Sequence, residues 1–276
     1  MPAYARPTRF QDALRILARG GRTVLAGGTD YYPARVGRPL AEDILDVTAL
    51  PELRGITECP DHWRIGATTS WTDLIEADLP PFFDCLKLAA REIGGEQIQN
   101  SGTVAGNICN ASPAADGVPP LLALDARVEL SSAGSTRALP LGDFILGARK
   151  TARRPDELVG ALLVPKPRYA ACSGFLKLGA RKYLVISIAM IAVVLEHENG
   201  AVRAARIAVG ACSPVACRLS SLEVELTGRR LGAGLGACVH PGHLAPLAPI
   251  DDVRGSAGYR NEATLVLLRR LLDSLS

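Results

Sequence analysis

The chain has 276 residues, 48% of them hydrophobic and 5% aromatic, with a formal net charge of +3. That is enough for one large or two smaller domains with a substantial core. The near balance of charge, with Arg149-Lys150 and Arg153-Arg154 as the only small basic knot, argues against a nucleic-acid-binding face, and the few aromatics argue against a stacking platform for single strands.

In chain order, residues 8–18 read as a helix capped by Thr8, with Phe10, Ala13, Leu14 and Leu17 on one face. Gly20-Gly21 ends it. Residues 23–26 form a short buried strand, 44–47 a second and 63–67 a third, with 68–73 starting a helix. Pro80-Pro81 opens a helix to about Ile93 that stops at Gly94-Gly95. A long glycine-rich loop follows. Residues 119–124 look helical, 126–130 extended, 141–145 helical and 158–164 extended, closed by Pro165. Beyond Pro165-Lys166-Pro167-Arg168 the pattern turns to strands at 174–178, 185–196 and 202–209. Helices follow at 218–226 and 261–275. The expected domains are 1–167, in subdomains of about 1–55 and 56–167, and 168–276. The expected class is α+β in two parts.

No secretory signal opens the chain. Its most apolar run, 183–195, is too short to span a bilayer and suits a buried strand. A soluble cytoplasmic protein is expected. The seven cysteines include no C-x-x-C pair. Cys212 and Cys217 have the spacing of part of a ferredoxin motif, but the third cysteine is missing. Cys238, His240 and His243 have ligating side chains, yet no carboxylate stands beside them. They read as a surface loop, and no metal centre is expected in this chain.

Two stretches carry the chemistry. Ala26-Gly27-Gly28-Thr29-Asp30 follows the first buried strand. Gln97-Ile98-Gln99-Asn100-Ser101-Gly102-Thr103-Val104-Ala105-Gly106-Asn107 follows the helix that ends near Ile93, and Ala111-Ser112-Pro113 leads to Asp116. Each alone reads as a tight turn. Together they suggest an anionic ligand held from two sides, because glycine admits close main-chain approach and free amides favour phosphate. Neither matches the fingerprint of an ATP or NAD site. Read alone, Asp116 caps the next helix, Asp30 caps a turn through its side chain, and Lys177 is a solvated strand lysine.

These segments, with Lys150-Thr151, Pro155-Asp156-Glu157-Leu158 and Asp251-Asp252-Val253-Arg254-Gly255-Ser256-Ala257 before Tyr259-Arg260, resemble the FAD-binding (medium) subunit of molybdenum hydroxylases. That family includes the flavoprotein of CO dehydrogenase and the flavin domain of xanthine dehydrogenase. The resemblance covers nearly the whole chain. It implies a two-part, PCMH-like FAD-binding domain followed by a small α+β C-terminal domain with an antiparallel sheet. It implies that FAD lies against Val24, Leu25, Ala26, Gly27, Gly28, Thr29, Asp30 and Tyr31, and against Thr103, Val104, Ala105, Gly106 and Asn107. Ile93 and Val159 align with apolar positions that touch the flavin, Asp116 with an aspartate that contacts the cofactor, and Lys177 with a lysine near the isoalloxazine ring. Ala105 departs from the family's usual Gly-Gly-Asn.

The resemblance further implies a relay. A large subunit with a molybdenum cofactor would hydroxylate substrate, 2Fe-2S clusters on a small subunit would pass the electrons here, and FAD would hand them to NAD, oxygen or another acceptor, in a heterotrimer or a dimer of heterotrimers. No catalytic residue of its own, no nucleic acid and no membrane span is expected. The alternatives are a self-sufficient FAD-dependent oxidase or reductase, and an assembly module without redox activity.

Overall fold

A computed structural model describes residues 2–39 and 41–275. Its elements run β1 (Tyr4–Ala5), α1 (Phe10–Leu17), β2 (Arg22–Leu25), β3 (Asp43–Asp46), β4 (Ile56–Glu58), β5 (His62–Gly66), α2 (Trp71–Glu76), α3 (Asp84–Glu92), α4 (Glu96–Ser101) and α5 (Val104–Asn110). Then come α6 (Val118–Ala123), β6 (Arg127–Ser131), β7 (Thr136–Pro140), α7 (Leu141–Phe144), β8 (Ile145–Gly147), β9 (Lys150–Thr151) and β10 (Leu158–Pro165). The chain closes with β11 (Ala170–Leu178), β12 (Ala189–Glu198), β13 (Ala201–Gly210), β14 (Cys217–Arg218), α8 (Ser220–Leu226) and α9 (Ala257–Ser274).

The architecture is mixed helix and strand, as expected. A small parallel sheet, ordered β1-β3-β2, packs with α1 around Ala13, Leu14, Leu17 and Leu45. Thr8 does not cap α1: Arg9 holds the N-cap position and makes no side-chain cap bond. A second, antiparallel sheet is ordered β4-β5-β10-β6-β7. The third is the antiparallel meander β11-β12-β13-β14.

The middle strand of that meander joins two cores. On β12, Met190, Ala192 and Val194 face the large core shared with α3, α5, α6 and β10. The alternate residues Ala189, Ile191, Val193 and Leu195 face a second core with α8 and α9. Side chains alternate across a strand, so a strand covered on both faces reads as a continuous apolar run. The strand starts later than expected, at Ala189, and Tyr183, Leu184 and Ile186 of the preceding segment are exposed.

Polar contacts bind the meander to the rest. Arg206 Nε donates to the Ala123 carbonyl (2.9 Å) and Arg218 Nη1 to that of Leu122 (3.1 Å), at the C-terminus of α6. Ser173 Oγ accepts from the Cys85 amide (2.9 Å) and donates to the Pro81 carbonyl (3.0 Å). Among the described residues, no helix is long and apolar enough to cross a membrane.

One buried carboxylate ties acid sensitivity to the second sheet. Glu157, 3% exposed, accepts from Arg137 Nε (2.6 Å), Arg137 Nη2 (2.9 Å) and the Arg154 amide (2.7 Å). The Arg137 guanidinium holds its carboxyl below the ordinary carboxylate range, against the opposing effect of burial. A depressed folded-state pKa contributes stability above the unfolded value and loses it as pH falls through the folded one. Glu157→Gln is therefore expected to cost about 2 kcal/mol at neutral pH and to flatten the loss of stability below about pH 4.5. Urea midpoints measured across pH check this; an acid limb as steep as the parent's would refute it.

Candidate functional site

β2 delivers the first glycine loop to the second. Leu25 is buried at its end. A Cβ placed on Gly27 would stand 1.8 Å from the Ser101 carbonyl oxygen and 3.0 Å from the Gly102 Cα. The two main chains therefore touch, and only glycine fits. Gly28 turns the chain back at φ +70°, and its carbonyl accepts from the Tyr32 amide (3.0 Å). Asp30 does not cap the turn with its carboxylate. Its main-chain carbonyl accepts from the Ala34 amide (3.3 Å), and among the described residues its side chain makes no hydrogen bond.

The second stretch, expected as one long loop, is two short helices broken at Gly102-Thr103. Thr103 is extended (φ −107°, ψ 150°), and its Oγ1 accepts from the Gly106 amide (3.0 Å), capping α5. Val104, Ala105 and Ile108 are buried in the large core. Ala105 lies in right-handed helix, so its methyl fits where a second glycine is usual. Asn107 Oδ1 is buried with no hydrogen-bond partner, as is the Tyr31 hydroxyl. The Arg35 guanidinium sits 3.8 Å from the centre of the Tyr31 ring.

Trp71, which sequence reasoning passed over, underlies this region at 2% exposure. Its ring edge lies 3.3 Å from a Cβ built on Gly102 and 2.6 Å from one built on Gly117. Its amide donates to the Gly102 carbonyl (3.1 Å). The available signal was Ser70-Trp71-Thr72-Asp73, a capping box in which Ser70 Oγ accepts from the Asp73 amide (3.1 Å) and Asp73 Oδ2 from the Ser70 amide (2.9 Å).

Asp116 and Lys177, far apart in sequence, form one buried pair. Lys177 Nζ donates to Asp116 Oδ2 (2.5 Å) and to the Glu92 carbonyl (3.3 Å) next to Ile93. Ser187 Oγ donates to Asp116 Oδ1. The side chains of Lys177 and Asp116 are 6% and 10% exposed, so Lys177 is not a solvated strand lysine. Asp116 is not the helix cap either: Gly117 holds the N-cap position of α6. Burial pushes the Asp116 carboxyl up, and Lys177 and Ser187 pull against it. Val159 is 4% exposed on β10, within the large core. Of Cys238, His240 and His243, expected to lack a carboxylate neighbour, the two histidines have one in Glu225 of α8.

The donor set fits a dinucleotide with a diphosphate. Glycine main chain meets from two sides, a capped helix starts beside it, and two buried polar atoms lack partners. Residues 1–167 match the family described as the FAD binding domain in molybdopterin dehydrogenase. The chain belongs to this FAD-binding family. Its residues 175–275 match the CO dehydrogenase flavoprotein C-terminal domain. Membership makes it a flavoprotein of the oxidoreductase class with FAD as cofactor.

Similar proteins agree. The xanthine dehydrogenase FAD-binding subunit of Escherichia coli O157:H7 is 30% identical, covering 98% of this chain and 94% of that one. The glyceraldehyde dehydrogenase medium chain of Sulfolobus acidocaldarius is 30% identical over 99% and 98%. In structure, carbon monoxide dehydrogenase from Hydrogenophaga pseudoflava superposes with a TM-score of 0.88 at 29% identity, covering 99% of this chain and 96% of that one.

Proposed function

We infer that this FAD-binding chain is the electron-transfer subunit of a heteromeric molybdenum hydroxylase. It takes electrons from 2Fe-2S clusters on a small partner and passes them to NAD, oxygen or another acceptor. A large partner holds the molybdenum cofactor and the substrate, and the assembly is a cytoplasmic heterotrimer or a pair of them. Residues 1–167 hold FAD, and 168–276 form the C-terminal domain that carries Lys177.

The observation behind this reading is the main-chain contact of Gly27 with Ser101, beside the unpartnered Asn107 Oδ1. Residues 27–29 hold the diphosphate through amides, with the turn at residues 103–107 lying against it from the other side. Asn107 Oδ1 accepts from a cofactor hydroxyl. Ile93 and the Lys177–Asp116 pair border the ring system. FAD supplies the redox chemistry through its isoalloxazine ring. Around it this chain excludes water and fixes charge.

Purified chain should be yellow and release FAD on denaturation, and should copurify with a large and a small partner. A colourless chain that takes up no FAD would refute the reading. Full turnover of an organic substrate by the isolated chain would instead favour a self-sufficient oxidase or reductase. Asn107→Asp places a carboxylate beside the diphosphate. It is expected to raise the FAD dissociation constant about tenfold to a hundredfold, read by flavin fluorescence on titration into apoprotein.

A further inference from the structure

We propose that Glu225, His240 and His243 form a site for a divalent transition cation of the zinc or nickel class, on the far side of the meander sheet from the flavin loops. Each residue offers one ligand atom, and the three atoms lie within 4.8 Å of one another. Glu225 Oε2 is 2.9 Å from His243 Nε2 and 3.7 Å from His240 Nε2. A tetrahedral ion with bonds of about 2.0–2.1 Å keeps its ligand atoms about 3.3 Å apart, between those two values.

The sequence builds this cluster through a tight turn. Pro241 and Gly242 begin the 3-10 helix Pro241–Leu244, which sets His240 and His243 side by side with ring centres 3.8 Å apart. A Cβ on Gly242 would press on the His240 ring at 3.0 Å, so glycine leaves that ring its place. α8 supplies Glu225 from the other side. Arg229 Nη2 donates to Glu225 Oε1 (2.6 Å), fixing the carboxylate and leaving Oε2 toward the imidazoles. His243 is buried, while the His240 side chain is 58% exposed and opens the group to solvent.

Two imidazoles and a carboxylate suit zinc and its neighbours better than magnesium or calcium. Cys238 Sγ is turned to the Leu235 carbonyl (3.0 Å), so water takes the fourth position. Loading has a definite cost. Without metal, Nδ1 of His243 accepts from the His240 amide and Nδ1 of His240 from the Gly242 amide, both at 3.2 Å. Each ring therefore carries its proton on Nε2, toward Glu225. When Nε2 takes the ion, that proton moves to Nδ1 and these two long hydrogen bonds are given up. The ion then clips α8 to the turn that leads toward α9.

Zinc alone, titrated calorimetrically into chelator-treated, FAD-loaded chain, tests this. Wild type should bind one more equivalent than His240→Gln or Glu225→Gln, with FAD content equal in all three. Arg229→Gln should weaken that equivalent about tenfold, as loss of an outer-shell partner does. Equal zinc uptake by wild type and His240→Gln would place the metal on cysteines and overturn the site. Uptake of the extra equivalent by Glu225→Gln would remove Glu225 from the ligand set and overturn it as well. An anomalous peak between the three side chains in zinc-soaked crystals would establish it.

Discussion

Gly27→Ala is expected to strip FAD from the chain and to loosen the fold with it. The new methyl carbon would stand 1.8 Å from the Ser101 carbonyl oxygen and 2.6 Å from its carbonyl carbon. Both are backbone atoms and cannot rotate aside, so the two loops must part. The strain should cost about 3 kcal/mol, at the upper end for overpacking. Parting two loops that grip one diphosphate should raise the FAD dissociation constant at least about a hundredfold, because the amides lose their shared focus. Gly28→Ala is the milder comparison. It strains a φ of +70°, but its Cβ meets the Tyr32 ring, a side chain that can swing away. Its cost should be about 1 kcal/mol. Bound flavin per chain after desalting, together with urea midpoints, reads both effects. Full flavin in Gly27→Ala would refute the two-loop grip.

The second large effect concerns the Lys177–Asp116 pair. Breaking a buried pair strands the remaining charge, at about 3–5 kcal/mol. Lys177→Met and Asp116→Leu should each pay that. The double variant should be more stable than either single one, because a buried pair replaced by apolar groups is often neutral or better. The raised Asp116 carboxyl agrees: burial outweighs its partners. Its burial therefore favours the folded state below the unfolded carboxylate pKa and ceases to as pH rises through the folded value. The double variant should accordingly recover stability at neutral pH while holding FAD more weakly. Single variants that unfold at the parent's urea midpoint would show that the pair is not desolvated.

Much of the fold was legible from residues alone. Apolar periodicity marked α1, α3, β10 and β13 to within a few residues, since a buried face imposes a repeat of 3.6 or 2. The apolar run ending in β12 correctly signalled a buried strand, and the structure covers that strand on both faces. The polar, glycine-dotted stretch before Asn107 misled. Its helices are too short to show a repeat, and what fixes them is Thr103 capping and the packing of Val104, Ala105 and Ile108. Trp71 and Ser187 were missed for a related reason. The capping box at Ser70 marks the start of α2 but not that Trp71 reaches the loops, and nothing local to Ser187 marks its bond to Asp116.

The glycine loops, the strand that feeds the first and the family to which the chain belongs are all written in the order of the residues, because steric freedom and hydrophobic alternation act between near neighbours. Which atoms those loops touch is a different matter. That Gly27 rests on Ser101, that Asp116 spends its charge on Lys177 rather than on a helix end, and that Glu225 reaches two histidines all depend on where sheets and helices come to lie. Such contacts arise from long-range packing: a one-residue change in the register of β11, for instance, would turn Lys177 to the opposite face of its sheet and away from Asp116.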